Sequence, residues 1–161
     1  MLKHLLIMRH AKSSWDYVDL KDHDRPLNER GQKSADKVAQ VLNAQGYAPD
    51  IIWCSDAQRT KETAVRIIRV IPGPQKIFHQ PGFYMASADN ALQFCASAEE
   101  PDGNLMLLGH NPGWRICSSI LAAITTASRR ALAESSPVKT KRLNGCPRPL
   151  GNLKHCFCHV N

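Results

Sequence analysis

Short apolar runs alternate with longer segments of helical periodicity through the first 133 residues. The runs at 4–8, 50–54, 76–79 and 104–108 predict buried strands. Helical segments follow them, at 28–46, 57–70, 87–98 and from Pro112 to about Ala133. This β-α-β-α-β-α-β-α order predicts an α/β fold with a parallel sheet covered by helices.

Helix ends are marked by the residue types that such ends require. Asn28 stands where the first helix needs an N-cap, and Gly46 stands where that helix should stop. Pro112 suits the first turn of the fourth helix.

The periodic pattern is lost after residue 134. Residues 135–161 are rich in proline, glycine and basic side chains, and only Cys156 to Val160 resembles a further strand. We therefore expect one domain over residues 1–134 and a basic, irregular C-terminal tail over 135–161. Proline in a central strand removes a ladder hydrogen bond, so Pro137, Pro147 and Pro149 leave the existence of a C-terminal strand open.

The positive charge is confined to the end of the chain. The net charge is +7, with 21 basic and 14 acidic residues. Residues 1–114 sum to zero, so the whole excess lies in the last 47 residues. Such a tail often contacts nucleic acid or acidic surfaces. Its only aromatic residue is Phe157, which makes base stacking a poor expectation.

The sequence favours a cytoplasmic protein with free thiols. Arg9 interrupts the first apolar run, which leaves no secretory h-region of the usual length, and residues 116–128 are too short and too polar to span a bilayer. The six cysteines match no disulfide framework. Cys146, His155, Cys156, Cys158 and His159 do not follow a standard zinc spacing, so no metal is expected.

Polar residues collect at three predicted strand ends. The first strand ends in Arg9-His10, the second leads into Ser55 to Arg59, and the fourth ends in Gly109 to Gly113. In open α/β sheets, sites form at the carboxyl ends of strands. The edge therefore gathers two histidines and two arginines: His10, His110, Arg9 and Arg59.

These residue types suit a phosphoryl group. Arginine offers a fixed fork of donors to phosphate oxygens, and the helix starting near Pro112 directs free N–H groups at an anion. A neutral imidazole can attack phosphorus and hold it covalently. Nearby cations disfavour imidazolium, so His10 should remain nucleophilic near pH 7.

The segments also resemble a known family. Residues 9–15 (RHAKSSW), 24–31 (DRPLNERG), 55–60 (SDAQRT), 83–86 (FYMA) and 109–113 (GHNPG) are similar to the motifs of the histidine phosphatase superfamily, the phosphoglycerate-mutase-like enzymes. The version found here is closest to the small SixA-like phosphohistidine phosphatases. The resemblance extends from residue 4 to about 114, and it implies a three-layer fold with helices on both faces of the sheet.

The resemblance implies a role for each matched residue. His10 would be the phosphorylated nucleophile, and Arg9, Arg59 and His110 would grip the phosphoryl group, with Ser13 and Asn111 as further phosphate contacts. No metal or cofactor would be required. Larger relatives carry a glutamate acid on an inserted loop that this chain lacks. A phosphohistidine protein is therefore the expected substrate, and a monomer the expected state.

Other readings stay open at this point. The protein could act on a small phosphate ester, or it could be a non-catalytic phosphate-binding module whose basic tail binds nucleic acid or an acidic protein. Arg59 could instead pair with Glu62, and Ser13 could only shape its loop. Asp24 and Arg25 are expected to form a local ion pair, and Tyr84 to be a packed aromatic with a wet hydroxyl rather than an acid.

Overall fold

Five parallel strands form the sheet of the computed structural model, which describes residues 2–97, 103–116, 119 and 155–159. The strands are β1 (Leu2–Arg9), β2 (Ile51–Cys54), β3 (Lys76–His79), β4 (Gly103–Gly109) and β5 (His155–His159). Their order across the sheet is β3-β2-β4-β1-β5, and every pairing is parallel. The first four strands match the predicted ones to within two residues at each end.

Three helices connect these strands: α1 (Glu29–Ala44), α2 (Gln58–Val70) and α3 (Ala88–Ser97). Residues 113–116 are helical as well, as predicted for the segment after β4. Two single 3-10 turns, Asp22–Asp24 and Pro81–Phe83, lie in the loops that follow β1 and β3. Within the described ranges, no helix is long and apolar enough to cross a membrane.

Helices cover both faces of the sheet, which confirms the three-layer α/β architecture. On one face, Leu6 and Met8 of β1 pack with Ala39 of α1 and Ile67 of α2. On the other face, Leu5, Ile7, Leu105 and Leu107 pack with Phe83, Ala91 and Trp114. Burial on both faces explains why β1 and β4 are continuous apolar runs rather than alternating ones.

The ends of α1 form as their residue types predict. The side chain of Asn28 accepts a hydrogen bond of 2.8 Å from the backbone N–H of Gly31, which confirms Asn28 as the N-cap. Gly46 follows the helix with a φ of +75°, a conformation that glycine adopts without strain.

The C-terminal strand that the sequence leaves open is present. β5 pairs with β1 from His4↔His155 to Met8↔His159, and it covers the edge of β1 that would otherwise be exposed. The possible strand that the sequence offers at 156–160 is therefore confirmed, with the bounds His155–His159. The physical reason is that all three tail prolines precede this strand and remove no hydrogen bond from it. The remainder of 135–161 lies outside the described residues.

Candidate active site

The carboxyl ends of three adjacent strands bring distant parts of the chain together. The backbone N–H of His10 donates to the carbonyl of Gly109 over 3.0 Å, and that of Ser55 donates to Leu108 over 3.0 Å. These two bonds continue the sheet just beyond β1 and β2. His10, Ser55 and His110 therefore meet at one edge of the sheet, as the sequence predicts.

A cavity of about 660 Å³ opens at this edge. All six residues that the sequence singles out for the site contribute to its wall: Arg9, His10, Ser13, Arg59, His110 and Asn111. The structure thus brings together side chains that come from three separate segments of the chain. The cavity is much larger than one phosphoryl group, so it has room for the group to which the phosphoryl is attached.

The His10 ring is buried and held in one tautomer. Its Nδ1 lies 2.7 Å from the carbonyl oxygen of Ala11, which can only accept, so Nδ1 carries the proton. Its Nε2 accepts a hydrogen bond of 3.3 Å from the Nε of Arg59. Burial, followed by the charges of Arg59 and Arg9, lowers the pKa of His10 to about 4. At neutral pH, His10 is therefore uncharged, with the lone pair of Nε2 beside the guanidinium of Arg59.

The second histidine packs against the first. The ring centroids of His10 and His110 are 5.0 Å apart, and the Nε2 of His110 lies 2.9 Å from the hydroxyl of Ser55. The buried Nδ1 of His110 has no hydrogen-bond partner in the described part of the chain. Burial and then the neighbouring His10 and Arg59 lower the pKa of His110 to about 3. Ser55 thus fixes the ring while Nδ1 retains an unused hydrogen-bonding capacity.

Arg59 is buried in the first turn of α2 and contacts an acid that the sequence analysis missed. Its Nη2 lies 2.9 Å from the carboxylate of Asp22, and its Nη1 donates to the backbone carbonyl of Asp22. The alternative pairing with Glu62 is wrong, because the carboxylate of Glu62 accepts from the backbone N–H of Leu27 and from Gln58.

Asp22 binds three side chains at once. Besides Arg59, its carboxylate contacts Arg25 Nη1 at 2.8 Å and the hydroxyl of Tyr84 at 2.9 Å. Partial burial would raise the pKa of Asp22, but the hydrogen bonds from Tyr84 and Arg25 and the charge of Arg59 lower it to about 2. The expected Asp24–Arg25 pair is therefore wrong. The spacing of Asp22 three residues before Arg25 was the available signal, and sequence alone could not rank the two acids.

Ser13 and Tyr84 also have defined partners. The hydroxyl of Ser13 accepts from the Nη2 of Arg25 over 2.9 Å, so Ser13 shapes the loop as well as lining the cavity. The Tyr84 ring lies 5.4 Å from that of His110, and its hydroxyl points to Asp22. Burial and Asp22 raise the pKa of Tyr84, which agrees with the expectation that it is not an acid.

The described residues contain no cluster of three or more His, Cys, Asp or Glu side chains arranged to hold a metal ion. Of the cysteines and histidines of the tail, Cys146 lies outside the described residues, whereas His155, Cys156, Cys158 and His159 are positions of β5. Basic side chains, mostly arginines, line the wall of the cavity, which is the arrangement that the sequence suggests for binding an anion.

Comparison with known proteins defines the class. The sequence profile of the Histidine phosphatase superfamily (branch 1) matches residues 5–83. An uncharacterized protein of Mycobacterium tuberculosis is 31% identical over 119 residues, which cover 73% of this chain and 72% of that protein. The chain belongs to the histidine phosphatase superfamily.

More specific similarities point to one branch of that superfamily. A crystal structure from Agrobacterium tumefaciens, assigned as a SixA phosphohistidine phosphatase, aligns with this chain at a TM-score of 0.66 and 30% sequence identity. The alignment covers 72% of this chain and 75% of the Agrobacterium chain. A similarly assigned structure from Nakamurella multipartita has a TM-score of 0.66 and 26% identity over 78% and 69% of the two chains. An uncharacterized chloroplastic protein of Arabidopsis thaliana is 36% identical to this chain over 129 residues. The aligned region covers 74% of this chain and 59% of the length of the Arabidopsis protein.

Proposed function

We propose that this protein is a phosphohistidine phosphatase that works through a covalent phosphohistidine intermediate on His10. The observation that carries the proposal is the state of the His10 ring. Its Nδ1 is committed to Ala11, its Nε2 faces Arg59, and the lowered pKa keeps it uncharged at neutral pH. An imidazole in this state is a nucleophile at a cationic site.

In the first step, Nε2 of His10 attacks the phosphorus of the substrate. The new P–N bond forms while the bond to the leaving group breaks, and the electron pair of that bond returns to the leaving atom. His10 becomes a cation, and its Nδ1 keeps its proton, which it donates in a hydrogen bond to the carbonyl oxygen of Ala11. Arg59 and Arg9 supply positive charge for the equatorial oxygens of the transition state, and His110 lies beside them.

In the second step, water attacks the phosphohistidine and releases inorganic phosphate. The P–N bond to His10 breaks, and the electron pair returns to Nε2, which regenerates the neutral ring. The same guanidinium groups serve both steps because both transition states carry the same phosphoryl charge. No step requires a group beyond the chain, the substrate and water, so the proposed reaction is independent of metal.

The substrate class follows from the leaving group. Residues 80–87, which connect β3 to α3, contain no acidic side chain, and Asp22 and Tyr84 are both poor proton donors at neutral pH. A sugar alkoxide needs a proton in order to leave, whereas an imidazole leaves with much less assistance. The similarity to structures assigned as SixA supports the same substrate.

The test is covalent labelling of the full chain. The protein is mixed with a ³²P-labelled phosphohistidine peptide and quenched within milliseconds, and the label should appear on His10. His10→Ala should abolish labelling and turnover. The matched control is His79→Ala, which removes an exposed histidine at the end of β3 and should leave both unchanged.

Two results would refute the proposal. One is turnover that survives His10→Ala, and the other is a wild-type preference for sugar phosphates over the phosphohistidine peptide. The second result would favour the small-ester alternative. Turnover that is lost after EDTA treatment would overturn metal independence.

A further inference from the structure

We propose that the carboxylate of Asp22 binds the protonated imidazole ring from which the phosphoryl group leaves, and that it thereby selects phosphohistidine over phosphate esters. The inference rests on the proposed function and names the residue that sets its substrate preference. It assigns Asp22 a role in recognition of the leaving group, in addition to its contacts within the chain.

The guanidinium of Arg59 places Asp22 opposite the nucleophile. The Nε of Arg59 lies 3.3 Å from Nε2 of His10, whereas its Nη2 lies 2.9 Å from Oδ2 of Asp22. His10 and Asp22 are therefore at the two ends of one planar cation. A phosphoryl group held by that cation would have His10 on one side, and in-line transfer puts the leaving group on the other side. That is the direction of Asp22.

The charge around the cavity makes Asp22 exceptional. Five cationic side chains contribute to the wall: Arg9, Lys12, Arg25, Arg30 and Arg59. Among the described residues that line the cavity, Asp22 is the only acid. A carboxylate repels the phosphoryl dianion, so its presence weakens the binding of a substrate whose other part is neutral or acidic. A positively charged substrate group removes this penalty.

Asp22 is both anchored and accessible. Arg25 and Tyr84 hold the two carboxylate oxygens at 2.8 and 2.9 Å, while the side chain is 47% exposed. Its low pKa keeps it ionised at neutral pH, so it acts as a hydrogen-bond acceptor and not as a proton donor. These features suit a fixed anionic contact for an N–H group of the substrate.

The reacting form of phosphohistidine carries such a group. When the nitrogen distant from phosphorus is protonated, the ring is a cation, and its N–H can donate a hydrogen bond to the carboxylate of Asp22. The P–N bond then breaks, its electron pair returns to the ring nitrogen, and a neutral imidazole departs with its distal proton. Nε2 of His10 forms the new P–N bond in the same step. Asp22 thus favours the protonated substrate and transfers no proton itself.

The experiment compares two small substrates with different leaving groups. Phosphoimidazole carries the ring that Asp22 would bind, and para-nitrophenyl phosphate does not. Asp22→Asn keeps the size of the side chain and removes its charge. We expect kcat/KM for phosphoimidazole to fall about 10- to 100-fold, and kcat/KM for para-nitrophenyl phosphate to stay the same or rise. The control is Asp24→Asn, in the same turn but outside the cavity wall, which should change neither value.

The inhibition constant for orthovanadate reports separately on the phosphoryl grip. It should stay the same or fall in Asp22→Asn, because Arg59 loses a competing anion. An unchanged ratio of the two kcat/KM values would overturn the inference. If both values fall by the same factor, Asp22 serves only to hold Arg59. Covalent labelling of His10 in the wild type and in Asp22→Asn separates these outcomes from a failure of the proposed function. If the proposed function is wrong, His10 is not labelled in either protein.

Discussion

The Nε of Arg59 donates to the Nε2 of His10 over 3.3 Å, although 49 positions separate the two residues in the chain. One lies just beyond β1 and the other in the first turn of α2. The contact fixes which nitrogen of His10 is free to react, because a donor on Nε2 requires that nitrogen to present its lone pair. It also places a permanent cation at the atom that the proposed mechanism uses as the nucleophile.

Replacing Arg59 with lysine should impair catalysis more than folding. Lysine keeps the charge but cannot reach His10 and the substrate with a planar fork of donors. We expect kcat/KM to fall about 100- to 1,000-fold, as for the loss of a donor to a transition-state anion. Steady-state kinetics with para-nitrophenyl phosphate provides the measurement. Arg66→Lys is the control, because Arg66 pairs with Asp36 between α1 and α2 and does not line the cavity. Wild-type kinetics in Arg59→Lys would contradict the expectation.

The rate of phosphoenzyme formation should remain high in mildly acidic solution. The kcat/KM profile reports the pKa of the nucleophile in the free enzyme, and burial with two neighbouring arginines sets the pKa of His10 to about 4. After correction for ionisation of the substrate phosphate, kcat/KM should be flat from pH 7 to pH 5 and should decline only near pH 4. An acid limb centred near pH 6.5 would mean that the ring is not buried as described.

The stability of the protein should decline over the same pH range. The folded-state pKa values of His10 and His110 are about 4 and 3, below the ordinary 6.5. As the pH falls below 6.5, the unfolded chain takes up protons that the folded chain excludes, so the free energy of unfolding decreases. Urea denaturation at pH 7, 6 and 5 measures this slope.

The matched variant for that measurement is His10→Gln combined with His110→Gln, which should flatten the slope. His23 acts in the opposite sense, because hydrogen bonds to Asp56 and Asp24 raise its pKa. The stabilisation from His23 is complete below pH 6.5 and is lost as the pH rises through its folded-state pKa. His23 is present in both proteins, so the difference between their slopes isolates the two buried histidines.

Gly31→Ala should destabilise the junction between α1 and the loop after β1. A Cβ at position 31 would lie 2.1 Å from the backbone oxygen of Lys12, and a backbone atom cannot move aside without displacing its loop. We expect the free energy of unfolding to fall by about 1–3 kcal/mol or more. Urea denaturation gives the value, and Ser34→Ala, one turn further along α1, is the control. A loss in Ser34→Ala equal to that in Gly31→Ala would show that the close approach is not the cause.

The local pattern was sufficient to predict most of the secondary structure. Apolar runs buried on both faces predict parallel strands, and a polar cap at Asn28 predicts the start of α1, because these signals lie within a few neighbouring residues. The site histidines and arginines were found for a related reason. They stand within a few residues of the ends of predicted strands, and the topology of a parallel sheet gathers those positions at one edge.

Only the tertiary structure showed which acid meets which cation. Asp22, Asp24 and Glu62 are equally near a basic residue in the sequence, but the path of the loop after β1 brings Asp22 to Arg25, Arg59 and Tyr84. Side-chain partners depend on distances between segments that are far apart in the chain, and no local signal encodes them. The order of residues thus determined the architecture and the edge where the candidate site lies, whereas long-range packing decided which acid joins the arginines at that edge.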